Sequence, residues 1–247
     1  MGINPDWEHL ADTDRKSAIN KVFSYWLDKE MPVRYRHLNL MKLEPSDKNR
    51  LSLATQHWFY DEVRNNLNDG FMVFGPVGTG KTTVALGYYR VWLGQEIMRL
   101  SNKHEHGSGF IHAVSKPQHF AVWKQEAKTL LLQHHDHAIN RPRVAEDGSD
   151  IGGAPKPLVT ADKIRSLARN ARVTPRLVLE EIDKVELTKA RRDTLFDILN
   201  TLDAEYGKFF INTNLTPGEF EDMYGAEFVR RIKQSCRVID LFANEKQ

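Results

Sequence analysis

Cysteine is nearly absent: Cys236 is the single one in 247 residues, which excludes an internal disulfide framework and fits a reducing compartment. No apolar stretch approaches the roughly 20 residues that a bilayer-crossing helix needs, and the polar N-terminus carries no secretory h-region. The expectation is a soluble cytoplasmic protein without a membrane partner. Excess charge of one sign is missing too. With 35 Lys plus Arg against 33 Asp plus Glu the net charge is +2, so nothing global argues for a polyanionic partner and only a local basic surface stays open. No internal repeat is found. A hydrophobic content of 40% in a chain of this length suffices for one large α/β domain with a short extension, and two full domains would be cramped.

What is present is concentrated in residues 75–82, Gly75-Pro76-Val77-Gly78-Thr79-Gly80-Lys81-Thr82, a complete G-x-x-x-x-G-K-[ST] phosphate loop with Thr83 continuing it. It follows the apolar run Phe71-Met72-Val73-Phe74 and opens a segment of helical composition. That context matters, because a strand must deliver the loop and a helix must start at Lys81 for backbone N–H groups and the positive helix end to surround phosphates. The glycines permit backbone angles and close approach that a Cβ would obstruct. Lys81 reaches the β/γ-phosphates, and the Thr82 hydroxyl is a ligand for Mg²⁺.

Elsewhere the periodicity predicts a helix from about Thr13 to Lys29, ended by Pro32, and a second helix N-capped by Ser46 and stopped by Gly70. After the phosphate-loop helix, 103–108 reads as a polar loop, Phe110 to Ala113 as a second strand and Pro117 to about His134 as a helix. Residues 136–158 mix His, Arg, Asp, Gly and Pro without period, an exposed excursion within the domain. Order resumes with a helix from Thr160, a strand Arg176 to Leu179, a helix containing Leu195, Ile198, Leu199 and Leu202, and a strand Phe209 to Ile211. Strands alternating with helices predict a mainly parallel sheet flanked by helices, with ligands at the strands' C-terminal ends.

Three later segments then become site candidates. Leu177-Val178-Leu179-Glu180-Glu181 is a buried strand delivering two carboxylates as it leaves the sheet, a Walker B-like arrangement. Glu180 is assigned to the Mg²⁺ shell beside Thr82, and Glu181 to orienting or deprotonating the attacking water. Asn214, in Asn212-Thr213-Asn214, places an amide within reach of the γ-phosphate or the water; a simple turn before Pro217 is the other reading. Arg230-Arg231, in the segment Ala226 to Gln234, offers an arginine to neutralise charge developing on the transferred group, in trans on a neighbouring subunit, or else forms a solvated helix face.

The ordered parts GPVGTGKT, LVLEEID, FFINTNL and a Gly225-containing segment ending in Arg-Arg-Ile resemble the AAA+ ATPases of the DnaC/DnaI helicase-loader and IstB transposition-helper group. The resemblance runs from about Met31 to Leu241 and includes the Pro32-Val33-Arg34-Tyr35 entry that precedes the nucleotide-base pocket in such proteins. It implies a P-loop NTPase of AAA+ type that binds ATP and Mg²⁺ between the subunits of an ATP-dependent homo-oligomer. Asn214 takes the sensor 1 position and Arg231 the arginine-finger position. It further implies a slow ATPase, stimulated by partner or DNA, that acts in DNA replication as a helicase loader or alternatively as a transposition helper. The partners are then a replicative helicase or a transposase, with single- or double-stranded DNA. A nucleotide-gated binding module with little hydrolysis is a further alternative. Two features depart from the group: Glu180 stands where Asp is usual, and Ala204-Glu205 where an arginine often precedes the aromatic matching Tyr206; the chain is further expected to lack the helical lid of larger AAA+ proteins, since it ends at Gln247 soon after a last strand read at Arg237 to Leu241, and that absence fits the group.

By these readings residues 1–30 form an N-terminal helical extension that grips a partner, with Phe23, Tyr25 and Trp26 as exposed aromatics, and residues 31–247 form the AAA+ domain. His134-His135-Asp136-His137 lies in the excursion and is read as a solvated loop, since adjacent side chains cannot converge on one tetrahedral ion. Lys116, Trp123, Lys124, Lys128, Arg141 and Arg143 are open to two readings, a nucleic-acid contact surface or the charged outer face of an amphipathic helix.

Overall fold

The computed structural model describes residues 15–103, 120–139, 157–171 and 173–244. Its helices are α1 (Arg15–Glu30), α2 (Leu53–Asn65), α3 (Lys81–Lys103), α4 (Ala127–Ile139), α5 (Ala161–Ala171), α6 (Lys189–Ala204), α7 (Pro217–Tyr224), α8 (Ala226–Ser235) and α9 (Leu241–Asn244). Strands β1 (Phe71–Phe74), β2 (Val122–Glu126), β3 (Arg176–Glu180), β4 (Lys208–Thr213) and β5 (Arg237–Asp240) pair in parallel in the order β2-β3-β4-β1-β5. Both faces of this sheet are buried, which is why its strands read as apolar runs rather than alternating ones. Phe71, Val73, Val178, Phe210 and Ile239 join one core with α1, α2 and α3. Met72, Phe74, Leu177, Leu179, Phe209 and Ile211 point the other way, into a core shared with α4 to α8.

The long helix α3 fixes the start of the site. Its Tyr88 hydroxyl donates to Asp69 O at 2.6 Å and lies 3.1 Å from Asn66 O, and its Trp92 indole donates to Leu67 O at 3.1 Å. The turn leading into β1 is thereby tied to the helix that follows the phosphate loop. Gly75 is required by packing, because a Cβ there would sit 2.9 Å from the Leu241 side chain.

Several expectations are corrected. Helix α2 is capped by Ser52, whose hydroxyl accepts from Thr55 N at 3.1 Å, and not by Ser46; it ends at Asn65, before Gly70. The fully buried Gln56 amide binds both Ser46 N and O and also Leu51 O, holding 46–51 as a turn. The predicted helix from Pro117 to His134 contains β2 at Val122–Glu126, and its helical part, α4, starts at Ala127. Phe110 to Ala113, Lys116, Arg141 and Arg143 lie outside the described residues, as does most of 136–158. His134 to His137 sit on α4 rather than in a loop, with His134 Nε2 2.7 Å from Val159 O.

The aromatics of α1 are not a free surface. Trp26 is 2% exposed and meets Phe120 edge-on at 5.0 Å, while Phe23 and Tyr25 are partly buried against the same core. Helix α1 therefore packs as part of the α3-side layer. No helix among the described residues is long and apolar enough to cross a membrane.

Candidate nucleotide-binding site

Strand β1 ends at Phe74, and the chain turns through the glycine loop before α3 begins at Lys81. Gly78 (φ 88°) and Gly80 (φ 81°) occupy the left-handed region, where a side chain is strained, so these two glycines are needed for conformation. The Thr79 hydroxyl donates to Pro76 O at 2.9 Å and closes the loop. Lys81, 6% exposed, is folded back into the same loop: its ammonium donates to Gly75 O (2.5 Å), Pro76 O (2.7 Å) and Asn214 Oδ1 (3.1 Å). Burial lowers its pKa to about 8, against the nearby Asp183 carboxylate, which favours the charged form.

The loop from Val77 to Thr83 lines a cavity of about 570 Å³, the size of a small-molecule site. Thr82, Glu181, Asn212 and Asn214 line it from the strand ends, and Arg34, Tyr35 and Tyr60 from the N-terminal side. The Arg34 guanidinium lies 4.6 Å over the Tyr35 ring, so the predicted entry segment does form a wall of the cavity.

Glu181 and Glu180 diverge. Glu181 adopts a left-handed backbone (φ 56°, ψ 46°), a conformation that costs a non-glycine residue about 1 kcal/mol or more. Its N–H is held by Asn212 Oδ1 at 3.0 Å, and the residue lines the cavity with its carboxylate paired with Lys184. Glu180 is buried, lies outside the cavity lining, and has Oε2 3.7 Å from Lys124 Nζ. Its pKa is raised because desolvation outweighs the Lys124 charge.

Lys124 is thus not on an outer helix face: it lies on β2, one strand from Glu180. Trp123 is buried in the core between the sheet and α4 to α8, and neither residue offers a nucleic-acid surface; Lys128 is exposed on α4.

Asn214 sits between Lys81 and Asp183. Its Nδ2 donates to Asp183 Oδ2 at 2.9 Å, and Asp183 Oδ1 accepts from Asn214 N (3.0 Å) and from the Thr213 hydroxyl (3.1 Å). Arg231 is elsewhere, on α8. Its Nε donates to Glu227 at 2.8 Å, its guanidinium lies 5.1 Å from the Phe196 ring centroid, and it does not line the cavity of its own chain. Arg230 is also bound to Glu227, so both arginines are half-exposed and share one carboxylate. The roles of Lys124, Asn212 and Asp183 were missed from sequence. Strand register could have flagged the first two, since Lys124 lies opposite Val178 and Asn212 opposite Val73.

An all-parallel sheet in this order, with a phosphate loop after β1 and carboxylate and amide side chains at the ends of β3 and β4, defines the P-loop fold of AAA+ type. No protein-family profile matches the sequence, and no curated protein matches it. Among solved structures, the crystal structure of the DnaC helicase loader is similar at 15% identity and TM-score 0.52, over 85% of this chain and 99% of that one. The replication initiator DnaA bound to AMPPCP and single-stranded DNA follows at 14% identity and TM-score 0.49, and AMPPCP-bound DnaA from Aquifex aeolicus at 13% and 0.49. Each covers 85% of this chain, which spans 50% of theirs. The fold is DnaC-like AAA+.

Proposed function

We propose that the chain is an ATPase that binds Mg-ATP at the junctions of a homo-oligomer and works in DNA replication as a loader of a replicative helicase. The observation that carries the nucleotide reading is the convergence of Lys81, Thr82, Glu181 and Asn214 on one cavity at the C-terminal ends of β1, β3 and β4. The loop N–H groups and the start of α3 hold the phosphates, and Lys81 leaves its own loop carbonyls for the β/γ-oxygens. Glu181 aligns and deprotonates the attacking water. Arg231, absent from the cavity of its own chain, reaches the γ-phosphate of a neighbour. The hydroxyl of Thr82 and the carboxylate of Glu180 are hard oxygen donors of the kind Mg²⁺ takes, and would hold it once Glu180 turns from Lys124. Bound there, the ion neutralises charge on the phosphate oxygens. The loader role is supported by the similarity to the DnaC helicase loader over 99% of the chain in its crystal structure.

The Lys124 contact favours a second reading, a nucleotide-gated binding module with little hydrolysis, because it holds the Glu180 carboxylate away from the cavity. Two measurements test these readings. Nucleotide affinity of Lys81→Ala should fall below detection in a folded protein; equal affinity sinks the site. Steady-state phosphate release, with helicase or transposase recovered from an ATP-dependent pull-down, separates loader, transposition helper and module.

A further inference from the structure

We propose that Asn212 is a positioning residue for Glu180: its side-chain NH₂ takes the Glu180 carboxylate over from Lys124 and holds it in the pose that serves the metal. In the reading given above Glu180 must leave Lys124 before it can hold Mg²⁺, and this inference, which rests on that reading, names what the carboxylate turns to.

The Asn212 amide is 3% exposed, and its orientation is set by its partner. Its Oδ1 accepts from Glu181 N at 3.0 Å, so turning the amide over would set two donors against each other. Its Nδ2 is then left buried and without a hydrogen bond among the described residues. A buried donor left unmet is costly, and it marks a place where an acceptor is missing. Since Nδ2 itself is closed to solvent, the acceptor has to come from the protein rather than from a phosphate in the cavity.

Strand register says which acceptor that is. Strand β4 lies between β3 and β1. Leu179 pairs with Ile211, so the next residues, Glu180 and Asn212, stand side by side. They follow Val178 and Phe210 by two places and therefore share their face, the one packed against α3. On its other flank Asn212 is opposite Val73, which is apolar. The Glu180 carboxylate is thus the side-chain acceptor that the flanking strands offer on this face, and it is short of donors. It is buried, and its ion-pair contact among the described residues is Lys124 Nζ at 3.7 Å, beyond normal hydrogen-bond reach.

A buried donor without an acceptor therefore stands beside a buried acceptor drawn to the opposite strand. Asn212 lines the nucleotide cavity and Glu180, held by Lys124, does not, so a carboxylate passing from the β2 side to the β4 side moves toward the nucleotide. Asn212 would then hold both glutamates, Glu181 by its backbone N–H and Glu180 by its carboxylate.

The readout is the Mg²⁺ preference, the ratio of the dissociation constants of a β,γ-methylene analogue of ATP in EDTA and in Mg²⁺. Equilibrium titration measures it on the full chain and on variants with an unchanged circular dichroism spectrum. Glu180→Gln should lose most of the preference. Asn212→Leu should lower it about tenfold, the worth of a hydrogen bond to a charged group, with little change of affinity in EDTA and no further effect in the Glu180→Gln background. Asn212→Asp keeps an acceptor for Glu181 N–H but sets a carboxylate where the NH₂ was, so it should lower the preference at least as far. A residue that merely tied Glu181 would be restored by it. Lys124→Met removes the competing partner and should raise the preference.

A preference kept in Asn212→Leu or Asn212→Asp, or not raised in Lys124→Met, overturns the proposal and leaves Glu180 as a metal ligand. So does an equal loss of affinity in EDTA and in Mg²⁺, which would put Nδ2 on the phosphates. A Glu180→Gln protein with the full preference overturns the metal reading of Glu180, and this inference with it. Failure of the unmodified protein to bind the analogue in either condition overturns the nucleotide reading itself.

Discussion

Lys81 carries its charge in a place that disfavours it, and this makes nucleotide binding sensitive to pH. Free, its pKa is lowered to about 8 by burial. Bound phosphates favour the ammonium and raise that value, so between the two pKa values binding takes up a proton. Affinity is then greatest below pH 8 and falls as pH rises through it. Calorimetry of ATP binding at pH 8.5, in buffers of different protonation enthalpy, should show net proton uptake larger than at pH 7; no uptake would mean Lys81 is charged throughout. At Glu181 the expectation concerns chemistry alone. Glu181→Gln keeps the shape and the left-handed turn held by Asn212, so Mg-ATP binding persists while phosphate release falls by about 10² or more. Wild-type turnover in that variant would move the base to Glu180 or Asp183. Lys81, Thr82 and Glu181 were legible because a contiguous motif contains its own geometry. Asp183 and Lys124 were not, since each acts on a residue that only the fold brings near: Asn214 for the one, Glu180 for the other.

At the level of elements, β1, β3 and β4 were legible as short β-rich apolar runs and β5 as the last strand, and β2 was not. Val122-Trp123-Lys124-Gln125-Glu126 has two apolar residues followed by three helix formers, and pairing with β3 overrides that preference. A similar tertiary choice makes Ser52 rather than Ser46 the cap of α2, because Gln56 holds the preceding turn. The placement of α1 can be measured. Trp26 is buried between α1 and the α3-side core, so Trp26→Ala should cost about 3–5 kcal/mol, which lowers the thermal midpoint by roughly 10 °C in a chain of this size. An unchanged midpoint would leave α1 with the exposed aromatics of the partner-gripping extension that the sequence predicts.

For the whole molecule, the parallel sheet was readable from the alternation of strands and helices, and its C-terminal edge is where the cavity lies. Assembly was not readable in the same way, since the site of one chain holds no arginine from α8 and the sequence cannot say which surface meets which. Arg231 is the link. Held by Glu227 and lying over Phe196, it is half-exposed and clear of its own nucleotide cavity. Supplied in trans, it predicts that Arg231→Ala still binds ATP and loses roughly 10³-fold or more in turnover.

The most direct test of an ATPase built at subunit junctions is phosphate release from a mixture of two inactive variants. Lys81→Ala subunits retain Arg231, and Arg231→Ala subunits retain the phosphate loop, so a mixed assembly contains junctions with both halves intact. Activity should therefore reappear on mixing, in proportion to those junctions. A mixture that co-assembles and stays inactive, or an Arg231→Ala protein that hydrolyses ATP normally by itself, would contradict the account.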